Sequence, residues 1–183
     1  MKEYIEIIGN DLATYKLCRL TKDVARANSQ ELLLIHNIIP YVHWETDDLL
    51  ADISPKGLSY DNKWQLSFIV YDKSKIVGLL IAYIRSSTDA HPINSIYIHR
   101  LAISSDHQGK GVGRQLLLNA IKYYAGRFSS ISTYTVQTND EEANDRVIKF
   151  YETVGFQRFM PVRYPEKLDI LLRLESDEAI KIQ

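Results

Sequence analysis

The sequence predicts an α/β protein of the α+β kind, with a mixed, mostly antiparallel central sheet covered by helices on both faces. Three observations carry that expectation. From Ser95 to Ala125 the apolar residues change period from two to about 3.6 across a glycine-rich turn, which is strand, loop and helix in succession. Hairpin patterns lie towards both ends of the chain, and a second amphipathic helix pattern begins near Asn144. At 183 residues, 45% of them hydrophobic, the chain is long enough to bury one core and short for two. It reads as one domain over residues 1–183, with a core of about 12–175, an extension strand over 1–11 and a tail over 176–183.

Taken in order, Tyr4 to Ile8 alternates, Gly9-Asn10-Asp11 turns, and Leu12 to Leu20 returns as a hairpin at one sheet edge. Thr21 caps a helix over Lys22 to Ile39, in which Val24, Leu32, Ile35 and Ile39 recur, and Pro40 closes it. Thr46 caps a second, short helix through Leu49, Leu50 and Ile53, which Ser54 to Gly57 ends. Strands follow over Trp64 to Tyr71 and Ile76 to Arg85 around the turn Asp72 to Lys75. Gly78 inside the second of these marks a bulge or a close approach. Ser86 to Asn94, with Pro92, is a loop.

Ser95 to Ile103 is the central strand, because both of its faces are largely apolar. Strict alternation puts Ile96, Ile98, Arg100 and Ala102 on one face and Tyr97, His99, Leu101 and Ile103 on the other. Val112, Leu116, Leu117, Ala120, Ile121 and Tyr124 then line one side of a helix that Gly126 stops. Ile131 to Thr138 is a strand, and Asn139 to Ala143 a polar connection. Asn144 to Phe156 carries a helix with Val147, Ile148, Tyr151 and Val154 on one side and Gly155 as its cap. Two last strands, Phe156 to Val162 and Leu168 to Glu175, flank the turn Arg163 to Lys167.

A net charge of −1 offers nothing to attract nucleic acid or an anionic membrane surface. No run reaches the roughly 18 apolar residues of a membrane span, and the acidic, alternating start is unlike a signal peptide. The lone Cys18 fits a reducing cytoplasm. His36, His43, His91, His99 and His107 lack paired ligand spacing, so no metal site is expected. No Gly-x-Ser-x-Gly elbow is present.

Between strand and helix, Gly109, Gly111 and Gly113 alternate with Lys110 and Val112. Glycines let the main chain approach a ligand and take positive φ without steric cost. The first amides of a helix have no partner within it and lie at the positive end of its dipole, which makes this turn a seat for a diphosphate. Lys110 and Arg114 add charge nearby. Two familiar phosphate loops fail on spacing. Gly-x-x-x-x-Gly-Lys-Ser/Thr does not occur, and Gly-x-Gly-x-x-Gly meets Arg114 or Leu116 at its third glycine.

What fits is Gln-x-x-Gly-x-Gly, supplied by Gln108, Gly111 and Gly113 directly after Leu101-Ala102-Ile103. There the chain resembles the GNAT superfamily of acetyl-CoA-dependent N-acetyltransferases, whose element order is similar to residues 12–175. The resemblance implies that acetyl-CoA is the cosubstrate and that main-chain amides of Gln108, Gly109, Lys110, Gly111, Val112, Gly113 and Arg114 hold its pyrophosphate. It also implies that Leu101, Ala102 and Ile103 hydrogen-bond its pantetheine arm. Asn144-x-x-Val147-x-x-Phe150-Tyr151 with Gly155-Phe156 is similar to the family's second signature, with Val147 where alanine is usual. By that likeness Asn144 meets the pantetheine and Tyr151 is the general acid for the thiolate. Without it, Tyr151 is a core aromatic on the stripe of its helix.

Transfer to an amine also asks for a base. His99 resembles in position a catalytic histidine of the arylalkylamine acetyltransferases; a half-buried structural histidine, with a water chain as base, is the equal alternative. Tyr97 shares its expected face. Tyr41, His43, Trp44, Glu45, Asp47 and Asp48 occupy a connection that lines the acceptor side in this family, and aromatics with carboxylates suit a cationic amine. A solvated helix start is the simpler account of them, and Tyr164 is a lesser candidate of the same kind. The expectation is a cytoplasmic enzyme acting on a small-molecule or peptide amine, without nucleic acid or membrane and with homodimerisation left open. The alternatives are a CoA-binding module without turnover and a transferase of longer acyl groups, for which Gly78 or the residues near Leu101 would make room.

Overall fold

A computed structural model describes residues 4–38, 43–54, 57, 59–85, 95–135, 140–164 and 167–175, the backbone alone for 160–164 and 167–172. The elements are β1 (Tyr4–Ile8), β2 (Thr14–Arg19), α1 (Lys22–Ala27), α2 (Ser29–His36), α3 (Thr46–Leu50), α4 (Lys63–Leu66) and β3 (Phe68–Asp72). They continue as β4 (Lys75–Arg85), β5 (Ser95–Ile103), α5 (Val112–Tyr124), β6 (Ser130–Thr135), α6 (Glu141–Glu152), β7 (Gln157–Tyr164) and β8 (Lys167–Glu175).

The strands form one eight-stranded sheet in the order β1-β2-β3-β4-β5-β6-β8-β7. Neighbours run antiparallel except β5 and β6, which are parallel. One face carries α5 and α6, whose Leu116, Leu117, Ile121, Ile148 and Tyr151 pack with Ile96 and Ile98 in the larger core. The other carries α1, α2 and α3, whose Ala25, Leu32, Ile35 and Leu49 pack with Ile69, Leu79 and Ile81. Helices therefore cover both faces of a mostly antiparallel sheet, as the hydrophobic periods require.

Several boundaries differ from those expected. The helix read over Lys22 to Ile39 is two helices. Asn28 breaks it by leaving helical angles at φ −123° and bonding its own Nδ2 to the carbonyl of Val24 at 2.9 Å, the local competition that asparagine offers the backbone. Glu45, rather than Thr46, caps α3, through a reciprocal capping box with Asp48. Trp64 to Leu66 lie in the helical turn α4, which starts after Asn62 at φ 58° and not in a strand. Asp140 caps α6 by accepting from Ala143 N at 2.9 Å, so this helix begins three residues before Asn144 and absorbs most of the polar connection. Val147, expected inside, is 46% exposed. Thr138, Pro40 and Pro92 lie outside the described residues.

Gly78 answers to both of its expected roles. The β3–β4 register shifts between Val70 and Tyr71, which pair with Gly78 and Ile76, so Val77 is an extra residue. A Cβ on Gly78 would lie 2.8 Å from Ile103 Cδ1. The missing side chain makes room for Ile103 rather than for a longer acyl group.

Candidate active site

A β-bulge in β5 sets the geometry. Arg100 pairs with Ile81 and Ile98 with Ala82, which leaves His99 as an extra residue. Strict alternation therefore fails after Ile98. Leu101 and Ile103 join Ile96 and Ile98 against the core under α5, while Arg100 and Ala102 turn to the side of Tyr97 and His99. One inserted residue thus brings an arginine beside the histidine.

Beyond the bulge, β5 has no parallel neighbour among the described residues. It pairs with β6 over Ser95–Ile98 and Ser130–Thr133, and β6 ends at Thr135. Main-chain groups of Leu101 to Ile103 on that side face an opening, where a polar ligand can pair with a sheet edge. The opening belongs to a cavity of about 1220 Å³. Leu101, Ala102 and Ile103 form one wall, and Thr133, Thr135 and Asn144 stand opposite.

At one end of this cavity lies the glycine loop. Gln108 Nε2 donates to the Ile103 carbonyl at 3.0 Å, tying the loop to the strand. Gly109 and Gly111 have φ of 73° and 76°, which glycine adopts freely. Gly111 is also the N-cap of α5 and offers no side chain to it, so the first amides of that helix are left for a ligand. Gly109, Gly111, Val112, Gly113 and Arg114 all line the cavity. Lys110 does not: its ammonium stands 3.8 Å from Asp11 Oδ2 and its carbonyl accepts from the N–H of Asn10 at 2.7 Å. The hairpin turn at Asn10 and Asp11, read as part of an extension, is thus a buttress for the loop. Sequence reasoning missed Asn10, which no local pattern distinguishes.

Tyr151, on α6, lines the cavity together with Phe150 and Val147. Burial pushes its hydroxyl up to about 12, against the pull of a hydrogen bond with Thr133 and the charge of Arg100. It is protonated at any working pH and available as a donor.

His99 stacks on Trp44, with ring centres 4.8 Å apart and planes at 16°. Trp44 stacks in turn on His36 at 4.3 Å, and Asn37 clips it there by accepting from its N–H and donating to its carbonyl. Arg100 Nε donates to His36 Nε2 at 3.4 Å. Burial first, and the Arg100 guanidinium second, hold the His36 imidazole at about 4 and the His99 imidazole at about 3. Both rings are neutral near pH 7. His99 Nε2 is buried without a hydrogen-bond partner among the described residues, and the residue lines the cavity.

The acceptor-side candidates separate. Tyr97 lines the cavity. Trp44 is a buried support behind His99, and Glu45 is exposed, engaged in capping α3 and 3.3 Å from His43. Tyr41 lies outside the described residues, and of Tyr164 only the backbone is described. In place of the expected carboxylates the cavity carries Tyr83, Tyr134 and Arg85, whose guanidinium lies 4.9 Å from the Tyr97 ring centre. These three were hidden inside strand patterns, and only pairing across the sheet brings them together.

The sequence matches the acetyltransferase (GNAT) family over residues 31–156. No curated protein sequence matches the chain. Among solved structures, the ribosomal-protein-S18-alanine N-acetyltransferase from Escherichia coli is similar with a TM-score of 0.64 at 17% identity, over 88% of this chain and 93% of that one. Arabidopsis thaliana Naa50, in complex with the bisubstrate analogue CoA-Ac-MVNAL, gives 0.62 at 20% identity over 88% and 98%. The loading GNATL domain of CurA from Lyngbya majuscula gives 0.67 at 12% identity over 89% and 98%. These likenesses establish a shared fold.

Proposed function

The chain belongs to the acetyltransferase (GNAT) family, and from that premise we propose that it moves an acetyl group from acetyl-CoA to a primary amine by direct attack, with both substrates bound together. The observation that carries this reading is the meeting of three features in one cavity: a glycine loop at a helix N-terminus, a length of β5 with no parallel partner among the described residues, and the protonated Tyr151 hydroxyl.

Acetyl-CoA, when bound, supplies an activated thioester whose sulfur can leave as a thiolate. The amides from Gln108 to Arg114 hold its pyrophosphate, with the charge of Arg114 beside them. The free edge of Leu101 to Ile103 takes the amide groups of its arm in the manner of an added strand, and Asn144 faces them from α6. A main-chain N–H of that edge stabilises negative charge developing on the carbonyl oxygen. Tyr151 gives its hydroxyl proton to the sulfur and is reprotonated by the proton that the acylated nitrogen sheds.

The amine must arrive without its proton. Arg100 and Arg85 make this end of the cavity positive, which lowers the pKa of a bound ammonium. His99, a neutral imidazole that lines this end of the cavity, orients the nucleophile and its lone pair. With the imidazole held at about 3, His99 serves as an orienting acceptor better than as a strong base.

Naa50 bound to a CoA-peptide conjugate and the S18-alanine enzyme support an amine as acceptor, by analogy of fold. The test is calorimetric titration with acetyl-CoA, followed by CoA release against a panel of small amines and peptide N-termini. Binding with amine-dependent release is expected. Binding without release by any amine would leave a CoA-binding module instead.

A further inference from the structure

The cavity holds arginines along its length and, among the described residues that line it, no carboxylate. Arg114 stands beside the pyrophosphate seat, so the cosubstrate accounts for it. Arg85 cannot be accounted for in that way. It is the last residue of β4 and pairs with Ser95, whereas Gly78, at the other end of β4, pairs with Ile103 beside the glycine loop. At about 3.3 Å per residue those two ends are roughly 23 Å apart, so phosphates held at one do not neutralise a guanidinium at the other.

Arg85 lies over two rings, 4.9 Å from the centre of Tyr97 and 5.5 Å from that of Tyr134. No ion pair holds it among the described residues, and it is only partly exposed. A half-buried arginine fork stacked on aromatic faces is a ready receptor for a carboxylate, which it binds through two parallel hydrogen bonds. Tyr97 also touches His99, with 6.2 Å between ring centres. One tyrosine therefore stands between the group that aims the amine and a guanidinium with no anion among the described residues.

Resting on the N-acetyltransferase reading, we propose that the acceptor is an amine that carries a carboxylate, with the carboxylate seated on Arg85 and the amine directed to His99. Because a tyrosine ring separates the two seats, the amine and the carboxylate are several bonds apart. Polyamines and diamines are disfavoured, since a second ammonium would face Arg85.

The test varies only the far end of the acceptor. CoA release is measured with γ-aminobutyrate and ε-aminocaproate, with butylamine and hexylamine, and with putrescine and hexamethylenediamine. The amino acids are expected to exceed the matched alkylamines and diamines at least about tenfold in kcat/KM, the range for a specific charge pair. Arg85→Gln is expected to reduce kcat/KM for the amino acids about 10- to 100-fold more than for the alkylamines, chiefly through KM, and Arg85→Lys to restore part of the loss. Equal use of alkylamines or diamines, or an equal effect of Arg85→Gln on every acceptor, would overturn the proposal. Should no amine be acetylated, ε-acetamidocaproate is titrated into the CoA-loaded protein. Binding that Arg85→Gln removes would keep the carboxylate seat while ending the transferase reading, and no binding would end the seat as well.

Discussion

The main-chain N–H of Asn10 donates to the Lys110 carbonyl at 2.7 Å, and the Asn10 side chain fills the space where Gly111 would carry a Cβ, with Oδ1 2.6 Å from that position. Gly111→Ala therefore meets two penalties, a positive φ and a collision with the buttress. We expect acetyl-CoA affinity to fall about tenfold and stability by about 1–2 kcal/mol. Gly109→Ala has a similar φ with open space around it, so only the first penalty applies. Equal losses in the two variants, read by calorimetry and urea unfolding, would remove Asn10 from the design of the loop.

Tyr151→Phe removes the hydroxyl proposed to donate to the departing sulfur while keeping the ring that packs against Phe150 and Phe156. A fall in kcat of about 10²-fold or more is expected, with acetyl-CoA binding little changed. Since the hydroxyl is held at about 12, wild-type activity should show no basic limb from Tyr151 in the usual assay range. A kcat within about twofold of wild type would take Tyr151 out of proton transfer.

His99→Ala should lower kcat without moving the acidic limb of the pH profile. The imidazole is held at about 3, so any limb near neutrality belongs to the amine or another group. Loss of that limb in the variant would mean that His99 titrates in the working range and is the base after all.

Acid should unfold the protein earlier than its carboxylates alone would require. His36 and His99 have folded values of about 4 and about 3 against an ordinary 6.5. Between these limits the unfolded chain binds protons that the folded chain refuses, so stability present above pH 6.5 is lost as pH falls. With both rings contributing, the slope approaches about 2.7 kcal/mol per pH unit. Urea midpoints measured from pH 7 down to 4 should show this loss, and His36→Gln with His99→Gln should flatten it.

Lys63 gives the opposite end of the pH scale. Its ammonium is buried under Trp64 and Tyr60 and donates to the carbonyls of Leu49 and Ala51, closing the C-terminus of α3. Burial lowers it from 10.5 to about 8. The unfolded chain then holds the extra proton between those values, so stability rises as pH climbs from about 8 and falls back as pH returns. Chemical shifts of the Lys63 side chain should titrate near 8, and Lys63→Met should lack the rise in stability.

Most of this architecture was legible because the chemistry is local. The period change at Gly109 to Gly113, the apolar stripe of α5 and the turn at Asp72 to Lys75 announce themselves within a dozen residues each. Boundaries failed where a side chain competes with the backbone, as at Asn28, or where two residues make the same kind of cap, as Glu45 does in place of Thr46. The acceptor side was misread for a different reason. Alternation cannot reveal a bulge, so the sequence put Arg100 opposite His99 when the two share a face. Trp44 and Glu45 looked like a binding segment, but packing and capping use them up. Arg85 and Tyr134 gained meaning only from their neighbours across strands.

Five strands meet three along a seam of four residue pairs, Ser95–Ile98 with Ser130–Thr133. Each leaf has hairpins of its own, whereas the two strands of the seam run parallel and are joined through α5. A molecule lodged in the gap beyond Ile98 acts as a rivet between the leaves. The last third of the chain is then the part whose amide hydrogens should gain the most protection when the gap is filled, and the part that opens first when it is empty.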